Sequence, residues 1–129
     1  MRSTATATTE FTTSADGTSI AYEVTGEGRA LVFVDGALCS RAMGPSRGLA
    51  SALARQFRVF AYDRRHRGES GPGASAYSTE REVEDLAAVI DAAGGTAHVF
   101  GASSGGALAL EAARAGVPIE RLAVYEAPF

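Results

Sequence analysis

Apolar residues follow two different spacings along this chain, and together these spacings predict a sheet with helices packed on it. Near the N-terminus, Ile20, Tyr22 and Val24 occupy alternate positions after the turn-forming pair Asp16-Gly17, which is typical of a β-hairpin. Farther along, four short apolar runs show no alternation, which is typical of strands that are buried on both faces. These runs are residues 30–34 (ALVFV), 58–62 (RVFAY), 97–100 (AHVF) and 121–125 (RLAVY).

Helical spacing of apolar residues separates the predicted strands. In the clearest segment, Thr79 and Glu82 have the spacing of a capping box, and Gly94-Gly95 ends the apolar pattern. Four apolar residues between these signals fall on one helix face, namely Val83, Leu86, Ala87 and Ile90. Two further helices are predicted, one in the segment GLASALARQF and one over residues 108–114.

A hairpin followed by buried strands that alternate with helices predicts an α/β fold. We expect a mostly parallel sheet with an N-terminal antiparallel hairpin and helices on both faces. Residues 1–9 are rich in Thr and Ala and are predicted to be a flexible segment, and residues 10–129 are predicted to belong to a single domain, of which they form the N-terminal part. The run 121–125 would lie unpaired at the sheet edge, and such an edge aggregates or binds a partner.

The composition and charge of the chain exclude several classes of function. The chain has 129 residues and a net charge of −3, and it lacks the basic stripe that nucleic-acid binding needs. No apolar run approaches the roughly 20 residues of a membrane span, and MRSTATATTE lacks the apolar core of a signal peptide. The single Cys39 forms no intrachain disulfide. These features predict a cytoplasmic enzyme. No motif indicates a metal or another cofactor, so we expect the enzyme to need neither.

The segment HVFGASSGG carries the strongest candidate chemistry. Gly101, Ser103 and Gly105 fit G-x-S-x-G, the pattern of a strained strand-to-helix turn that exposes a nucleophilic serine. A bulky side chain two residues before or after this serine would clash. The structural alternative is a glycine-rich turn whose serines cap a helix. Ser104 is the rival nucleophile, but it would need Ala102 where the pattern has glycine.

Four segments, taken in order, resemble the α/β-hydrolase-fold superfamily: VFVDGAL, AYDRRHRGESG, VFGASSGG and VYEAPF. The resemblance covers residues 10–129 and implies the N-terminal half of that fold. It implies Ser103 as the nucleophile and two oxyanion-hole donors, the backbone N–H groups of Ser104 and of Ala37, which follows Gly36.

The same resemblance implies that this chain is an incomplete α/β-hydrolase fold. The triad order in the family is Ser, then Asp or Glu, then His, and no histidine follows Ser103. We therefore expect the acid, the base and the remaining strands from a second polypeptide or from a missing C-terminal region. A small self-contained fold that is closed by homo-oligomerisation is the other possibility.

Two residues depart from the family pattern. Asp35 stands where the family usually has histidine, and we expect it to point away from the pocket and to hydrogen-bond the loop backbone. The functional alternative is that Asp35 tunes specificity or takes part in chemistry other than hydrolysis. His66 stands where the family often has glycine. It either accommodates a left-handed turn or is a catalytic or substrate-contacting residue.

The remaining polar candidates are expected to be structural. We predict that His98 is packed and hydrogen-bonded, that Asp63 holds its own turn, and that Cys39 fills space near the pocket. The arginines that follow Asp63 are predicted to form a solvated loop rather than an anion site; they are Arg64, Arg65 and Arg67.

Three functions fit these observations. The first is a serine hydrolase that acts on a small ester, lactone or similar acyl substrate through Ser103. The second is a lyase, cyclase or decarboxylase that uses the same pocket without an acyl-enzyme, which Asp35 favours. The third is a binding module without catalysis, which the absent triad partners favour.

Overall fold

The computed structural model describes residues 8–37, 39–73 and 75–127, so most of the predicted flexible segment 1–9 lies outside the described residues. These ranges contain six strands and three helices. The strands are β1 (Glu10–Thr13), β2 (Ser19–Thr25), β3 (Arg29–Val34), β4 (Phe57–Tyr62), β5 (Ala97–Ala102) and β6 (Ile119–Tyr125). The helices are α1 (Ser46–Leu53), α2 (Thr79–Ala92) and α3 (Ser104–Arg114). None of these helices is both long enough and apolar enough to cross a membrane.

The strands form one mixed sheet in the order β1-β2-β4-β3-β5-β6. The pairs β1–β2 and β2–β4 are antiparallel, whereas β4–β3, β3–β5 and β5–β6 are parallel. The hairpin turns at Gly17, whose φ of +88° suits glycine, and its N–H donates to the Ser14 carbonyl at 2.9 Å. The predicted mostly parallel sheet with an N-terminal hairpin is confirmed.

Both faces of the central strands are covered, which explains why their sequences do not alternate. In β3, Val32 packs under α2 and α3, whereas its neighbour Leu31 joins the core under α1 on the opposite face. In β4, Phe60 packs in the core under α2 and α3, whereas Val59 packs in the core under α1. Helices therefore lie on both faces, as predicted.

The side chains of β6 are more exposed than the prediction of a buried strand implies. Within the described chain it pairs only with β5 and forms the edge of the sheet. Val124 is 37% exposed and Tyr125 is 61% exposed. Apolar composition indicated burial, but the edge position leaves these side chains uncovered. The expectation of an apolar strand at an unpaired sheet edge is confirmed.

The predicted capping box at the start of α2 is wrong. The N-cap is Ser78, whose Oγ accepts a hydrogen bond from the Arg81 N–H at 3.2 Å. Glu82, the expected partner in the box, is buried and binds Arg64 on the neighbouring turn instead. The predicted end is confirmed, since Gly94 and Gly95 both follow the helix with positive φ.

Candidate active site

Ser103 occupies a strained turn between β5 and α3. Its φ of +55° and ψ of −124° are unusual for a residue with a side chain, and its side chain is exposed. The surrounding backbone holds this conformation: the Ser103 N–H donates to the Tyr125 carbonyl at 2.8 Å, and the Gly106 N–H donates to the Ser103 carbonyl at 2.9 Å. Such strain costs about 1–3 kcal/mol and persists where neighbouring structure fixes it.

The glycines of G-x-S-x-G are required by close backbone contacts. A Cβ atom on Gly101 would lie 2.6 Å from the Gly105 carbonyl oxygen, and one on Gly105 would overlap the carbonyl oxygens of Val34 and Asp35. The turn therefore has the geometry that the motif predicts. The catalytic role of Ser103 stays a prediction.

The two candidate serines have different surroundings. The Ser104 hydroxyl is half-buried and accepts a hydrogen bond from Arg64 Nη1 at 3.0 Å. The exposed Ser103 hydroxyl has no hydrogen-bond partner among the described residues and borders an open cavity of about 380 Å³. The cavity has mostly apolar walls, and its lining residues are Pro45, Leu49, Phe100, Ala102, Ser103, Tyr125 and Glu126.

The loop after β3, residues 35–37, passes directly beside Ser103. β3 and β5 are parallel neighbours with Val34 opposite Gly101, so their carboxyl ends meet at one edge of the sheet. A Cβ atom on Gly36 would lie 3.4 Å from Ser103 Cβ and 4.0 Å from its Oγ. No described residue accepts a hydrogen bond from the backbone N–H of Ala37 or Ser104. Two unoccupied donors next to a serine suit the stabilisation of a developing negative charge.

The prediction that the three arginines after Asp63 form a solvated loop is wrong for Arg64 and Arg65. Both are nearly inaccessible, with 5% and 2% of their surface exposed. Arg65 binds Asp85 with two nitrogens at 2.7 Å each and binds Asp16 with two nitrogens at 3.0 and 3.2 Å. It therefore joins the hairpin turn to α2.

Arg64 and Arg67 instead bind the loop beside Ser103. Arg64 forms a bidentate pair with Glu82 at 2.7 and 2.8 Å, and its Nη1 donates to the Asp35 carbonyl at 3.0 Å. Arg67 Nη1 donates to the Gly36 carbonyl at 2.8 Å. Sequence reasoning missed this function because the acceptors are distant along the chain. The only local signal was the number of cations in one short turn.

Asp63 holds its own turn, as predicted. Its Oδ2 accepts a hydrogen bond from the Glu69 N–H at 2.8 Å, six residues farther along. Its Oδ1 also accepts one from the Arg41 N–H at 2.7 Å, and Arg41 Nε donates to Oδ2 at 3.1 Å. Asp63 therefore fixes the turn that carries Arg64 and Arg67.

Asp35 is placed differently from the expected loop-bonded position. Asp35 does not line the cavity and only 1% of the residue is exposed, and no described residue donates a hydrogen bond to either carboxylate oxygen. The predicted bond to the loop backbone is therefore wrong. The pKa of Asp35 is raised to about 7. Burial is the main cause and the charge of Asp63 adds to it, whereas the nearby guanidinium groups of Arg64 and Arg67 oppose the rise.

The Asp35→Asn variant is expected to be more stable than the wild type above pH 8, by about 2 kcal/mol. A rise in pKa from 3.8 to about 7 corresponds to roughly 4 kcal/mol, and local relaxation removes part of this. Because the folded pKa lies above the unfolded value, wild-type stability falls as pH rises from about 4 through 7. Urea denaturation at pH 5 and pH 8.5 measures the effect. Parallel pH profiles for the two proteins would contradict it.

His66 does not line the cavity beside Ser103. It is exposed with a φ of +69°, the left-handed conformation that the structural interpretation expects, and its ring centroid lies 6.3 Å from that of Tyr77. The structure therefore gives His66 a conformational role in its turn, and no hydrogen bond joins it to Ser103 among the described residues. Its catalytic role stays a prediction.

His98 and Cys39 are the remaining candidates. His98 packs edge-to-face on Phe57, with ring centroids 5.9 Å apart, so the predicted packing is confirmed. Its Nδ1 is buried, however, and has no hydrogen-bond partner among the described residues, so the predicted hydrogen bond is not found. Cys39 is a half-buried free thiol on the loop that follows β3.

Comparison with known proteins places this geometry in a family. A model of the alpha/beta hydrolase family matches residues 29–129. An alpha/beta hydrolase from Sphaerobacter thermophilus DSM 20745 is 54% identical with a TM-score of 0.89, and the match covers 93% of this chain and 46% of that one. The esterase RhEst1 from Rhodococcus sp. ECU1013 is 31% identical with a TM-score of 0.80, covering 92% and 46%.

A third similar structure is the bottromycin epimerase BotH in complex with bottromycin A2. It is 33% identical with a TM-score of 0.79, and the match covers 90% of this chain and 47% of that one. No curated protein matches the chain. The chain spans about half the length of these three solved structures. The family match, the sheet order and the serine turn agree, and the chain belongs to the alpha/beta hydrolase family.

Proposed function

We propose that this chain supplies the nucleophile and the oxyanion hole of a serine hydrolase that cleaves a small carboxylic ester, lactone or similar acyl compound. The observation that carries the proposal is the conformation of Ser103. An exposed hydroxyl stands on a strained strand-to-helix turn, beside an apolar cavity and two unoccupied backbone donors. The 31% identity to the esterase RhEst1 supports an ester as substrate.

The proposed reaction starts when Ser103 Oγ attacks the carbonyl carbon of the substrate while a base accepts the hydroxyl proton. The carbonyl oxygen becomes an oxyanion and accepts hydrogen bonds from the N–H groups of Ser104 and Ala37. The N-terminus of α3 adds partial positive charge at the same point. Collapse of the intermediate breaks the bond to the alcohol, which leaves with the proton. Water then hydrolyses the acyl-enzyme by the same steps.

The catalytic acid and base are proposed to come from outside this chain. The chain contains His66 and His98, and neither lines the cavity at Ser103. A second polypeptide, the continuation of this chain or a second copy would supply an Asp or Glu and a His. We call the complete catalytic unit the assembled protein. The free thiol of Cys39 agrees with the proposed cytoplasmic location.

The cavity favours a substrate with an apolar group next to the scissile bond. Its wall is formed by side chains from α1, β5 and the end of β6, and most of these are apolar, as in Leu49 and Phe100. Burial of such a group contributes roughly 25 cal/mol of favourable binding free energy for each Å² of apolar surface removed from water. We therefore expect aryl and medium-chain acyl esters to be better substrates than acetate esters of small polar alcohols.

A non-hydrolytic enzyme is the second candidate. The 33% identity to the epimerase BotH favours it. Asp35, the residue that pointed to a lyase, cyclase or decarboxylase, gives it no further support, because its carboxylate is buried away from the cavity. A binding module without catalysis is the third outcome that the following experiment distinguishes.

Reaction of the assembled protein with a fluorophosphonate tests the proposal. We expect one adduct per active site, mapped by peptide mass to Ser103, because the reagent forms a tetrahedral adduct with an activated serine. The Ser104→Ala variant retains the backbone N–H and is the matched control, and it should still form the Ser103 adduct. An adduct on Ser104 would contradict the assignment. Failure of the wild type to react would favour the non-hydrolytic or binding alternatives.

A further inference from the structure

Two arginines of one turn bind successive carbonyl groups of the loop at residues 35–37. Arg64 Nη1 donates to the Asp35 carbonyl at 3.0 Å, and Arg67 Nη1 donates to the Gly36 carbonyl at 2.8 Å. Both arginines follow Asp63, which is itself anchored by backbone N–H groups. The loop beside Ser103 is therefore attached to a rigid turn through two charge-assisted hydrogen bonds.

Holding the Gly36 carbonyl also fixes the direction of the Ala37 N–H. These two groups belong to one peptide unit, and no described peptide bond is cis. In a planar trans peptide the C=O and the N–H point to opposite sides. Once Arg67 holds the oxygen on its side, the N–H of Ala37 must face the other way. This N–H is the second of the two proposed oxyanion donors.

The guanidinium charge has a further effect on the same peptide. A cation bound to a carbonyl oxygen draws electron density from the amide and makes its N–H a stronger donor. Arg67 thus both orients and polarises the Gly36–Ala37 peptide. An oxyanion forming opposite the Ala37 N–H would benefit from each effect.

Arg67 and Arg64 differ in the other interactions that their side chains make. Arg64 is buried and forms a bidentate pair with Glu82, so its replacement would leave a buried carboxylate without its cation. Arg67 is half-buried, and among the described residues its side chain has one hydrogen-bond acceptor, the Gly36 carbonyl. Replacement of Arg67 therefore removes the shorter of the two hydrogen bonds to the Gly36 carbonyl and leaves the core intact, whereas the bond from the Cys39 N–H at 3.4 Å remains.

We infer that Arg67 is a positioning residue for the oxyanion hole, acting through the Gly36 carbonyl on the Ala37 N–H. The inference rests on the proposed function, because an oxyanion hole is useful only to an enzyme that forms an oxyanion. It assigns Arg67 a function in the transition state, without a contact to substrate.

The Arg67→Met variant of the assembled protein tests the inference in kinetics. For an aryl ester, kcat is expected to fall about 10–100-fold, while KM stays within about twofold. The fall is smaller than the one that follows complete removal of an oxyanion-hole donor, because the Ala37 N–H is misplaced and not lost. Affinity for an arylboronic acid, whose anionic tetrahedral serine adduct places an oxygen in the oxyanion hole, should fall by a similar factor. Arg67→Lys should restore part of both. Arg114→Met, at an exposed arginine on α3, is the matched control and should leave both unchanged.

The resonance of the Ala37 amide separates failure of this inference from failure of the proposed function. In ¹H–¹⁵N spectra the Ala37 signal should shift in Arg67→Met, return toward its wild-type position in Arg67→Lys and stay in place in Arg114→Met. An unchanged Ala37 signal in Arg67→Met overturns the inference, whether or not the protein hydrolyses esters. A reactive wild type whose kcat is insensitive to Arg67→Met overturns it as well. A wild type that does not react with fluorophosphonate overturns the proposed function, and the Ala37 signal still decides the positioning claim.

Discussion

Replacing Ser103 by alanine in the assembled protein is expected to lower kcat for an aryl ester by at least about 10⁴-fold, with little change in KM. The variant lacks the attacking oxygen, so no acyl-enzyme forms. The cavity wall and both backbone donors are unaffected, because alanine differs from serine only by the hydroxyl group. Initial rates over a range of substrate concentrations, with a burst measurement for the acyl-enzyme, give both constants.

The matched comparison is Ser104→Ala. Its hydroxyl is bound by Arg64 Nη1 at 3.0 Å and is half-buried, whereas its backbone N–H is retained. We expect kcat to fall by no more than about tenfold, because the variant removes only the hydroxyl that accepts a hydrogen bond from Arg64 and leaves the reacting atoms in place. If Ser103→Ala keeps near-wild-type turnover while Ser104→Ala loses it, the assignment of the nucleophile is wrong.

Replacing Arg65 by methionine is expected to destabilise the fold by about 3–5 kcal/mol. The side chain is fully buried and binds Asp85, which is 1% exposed, and Asp16 on the hairpin turn. Methionine fills a similar volume but leaves the Asp85 carboxylate buried without its cation, which is the costly step. Arg65 also holds the pKa of Asp16 well below its usual range, so loss of the cation weakens the attachment of the hairpin. Urea denaturation at pH 7 measures the change.

Two controls define the cause of that loss. The double variant Arg65→Met with Asp85→Leu removes both buried charges, and we expect it to recover at least about half of the lost stability. Arg81→Met breaks an ion pair with Glu84 in which both side chains are about one-third exposed, and it should cost no more than about 0.5 kcal/mol. Equal losses for Arg65→Met and Arg81→Met would mean that burial of the ion pair is unimportant.

The sequence predicted the sheet well because its signals are local. Apolar runs without alternation mark strands covered on both faces, as the division of Leu31 and Val32 between two cores shows. The hairpin turn at Gly17 and the helix end at Gly94 depend on backbone conformations that few residues other than glycine adopt. The side chains of β6 were expected to be buried because the strand is apolar, but its position at the sheet edge, which the order of elements did predict, leaves them uncovered.

The site was predictable only where one short segment determines it. The turn at Ser103 follows from G-x-S-x-G, since contacts within that motif and with the neighbouring strand exclude a Cβ at Gly101 and Gly105. The burial of Arg65 could not be predicted in this way, because its carboxylates lie on the hairpin and on α2, distant in sequence. The absence of hydrogen bonds at Asp35 likewise depends on packing that a local pattern does not describe.

The turn at residues 101–105 is proposed to direct the Ser103 hydroxyl to a point between two backbone donors. This geometry can be measured in a crystal structure of the assembled protein after reaction with an aryl fluorophosphonate. We expect phosphorus bonded to Ser103 Oγ, with the phosphoryl oxygen within about 3.1 Å of the backbone nitrogens of both Ser104 and Ala37. A phosphoryl oxygen directed to solvent, or an adduct on a different residue, would contradict this proposal.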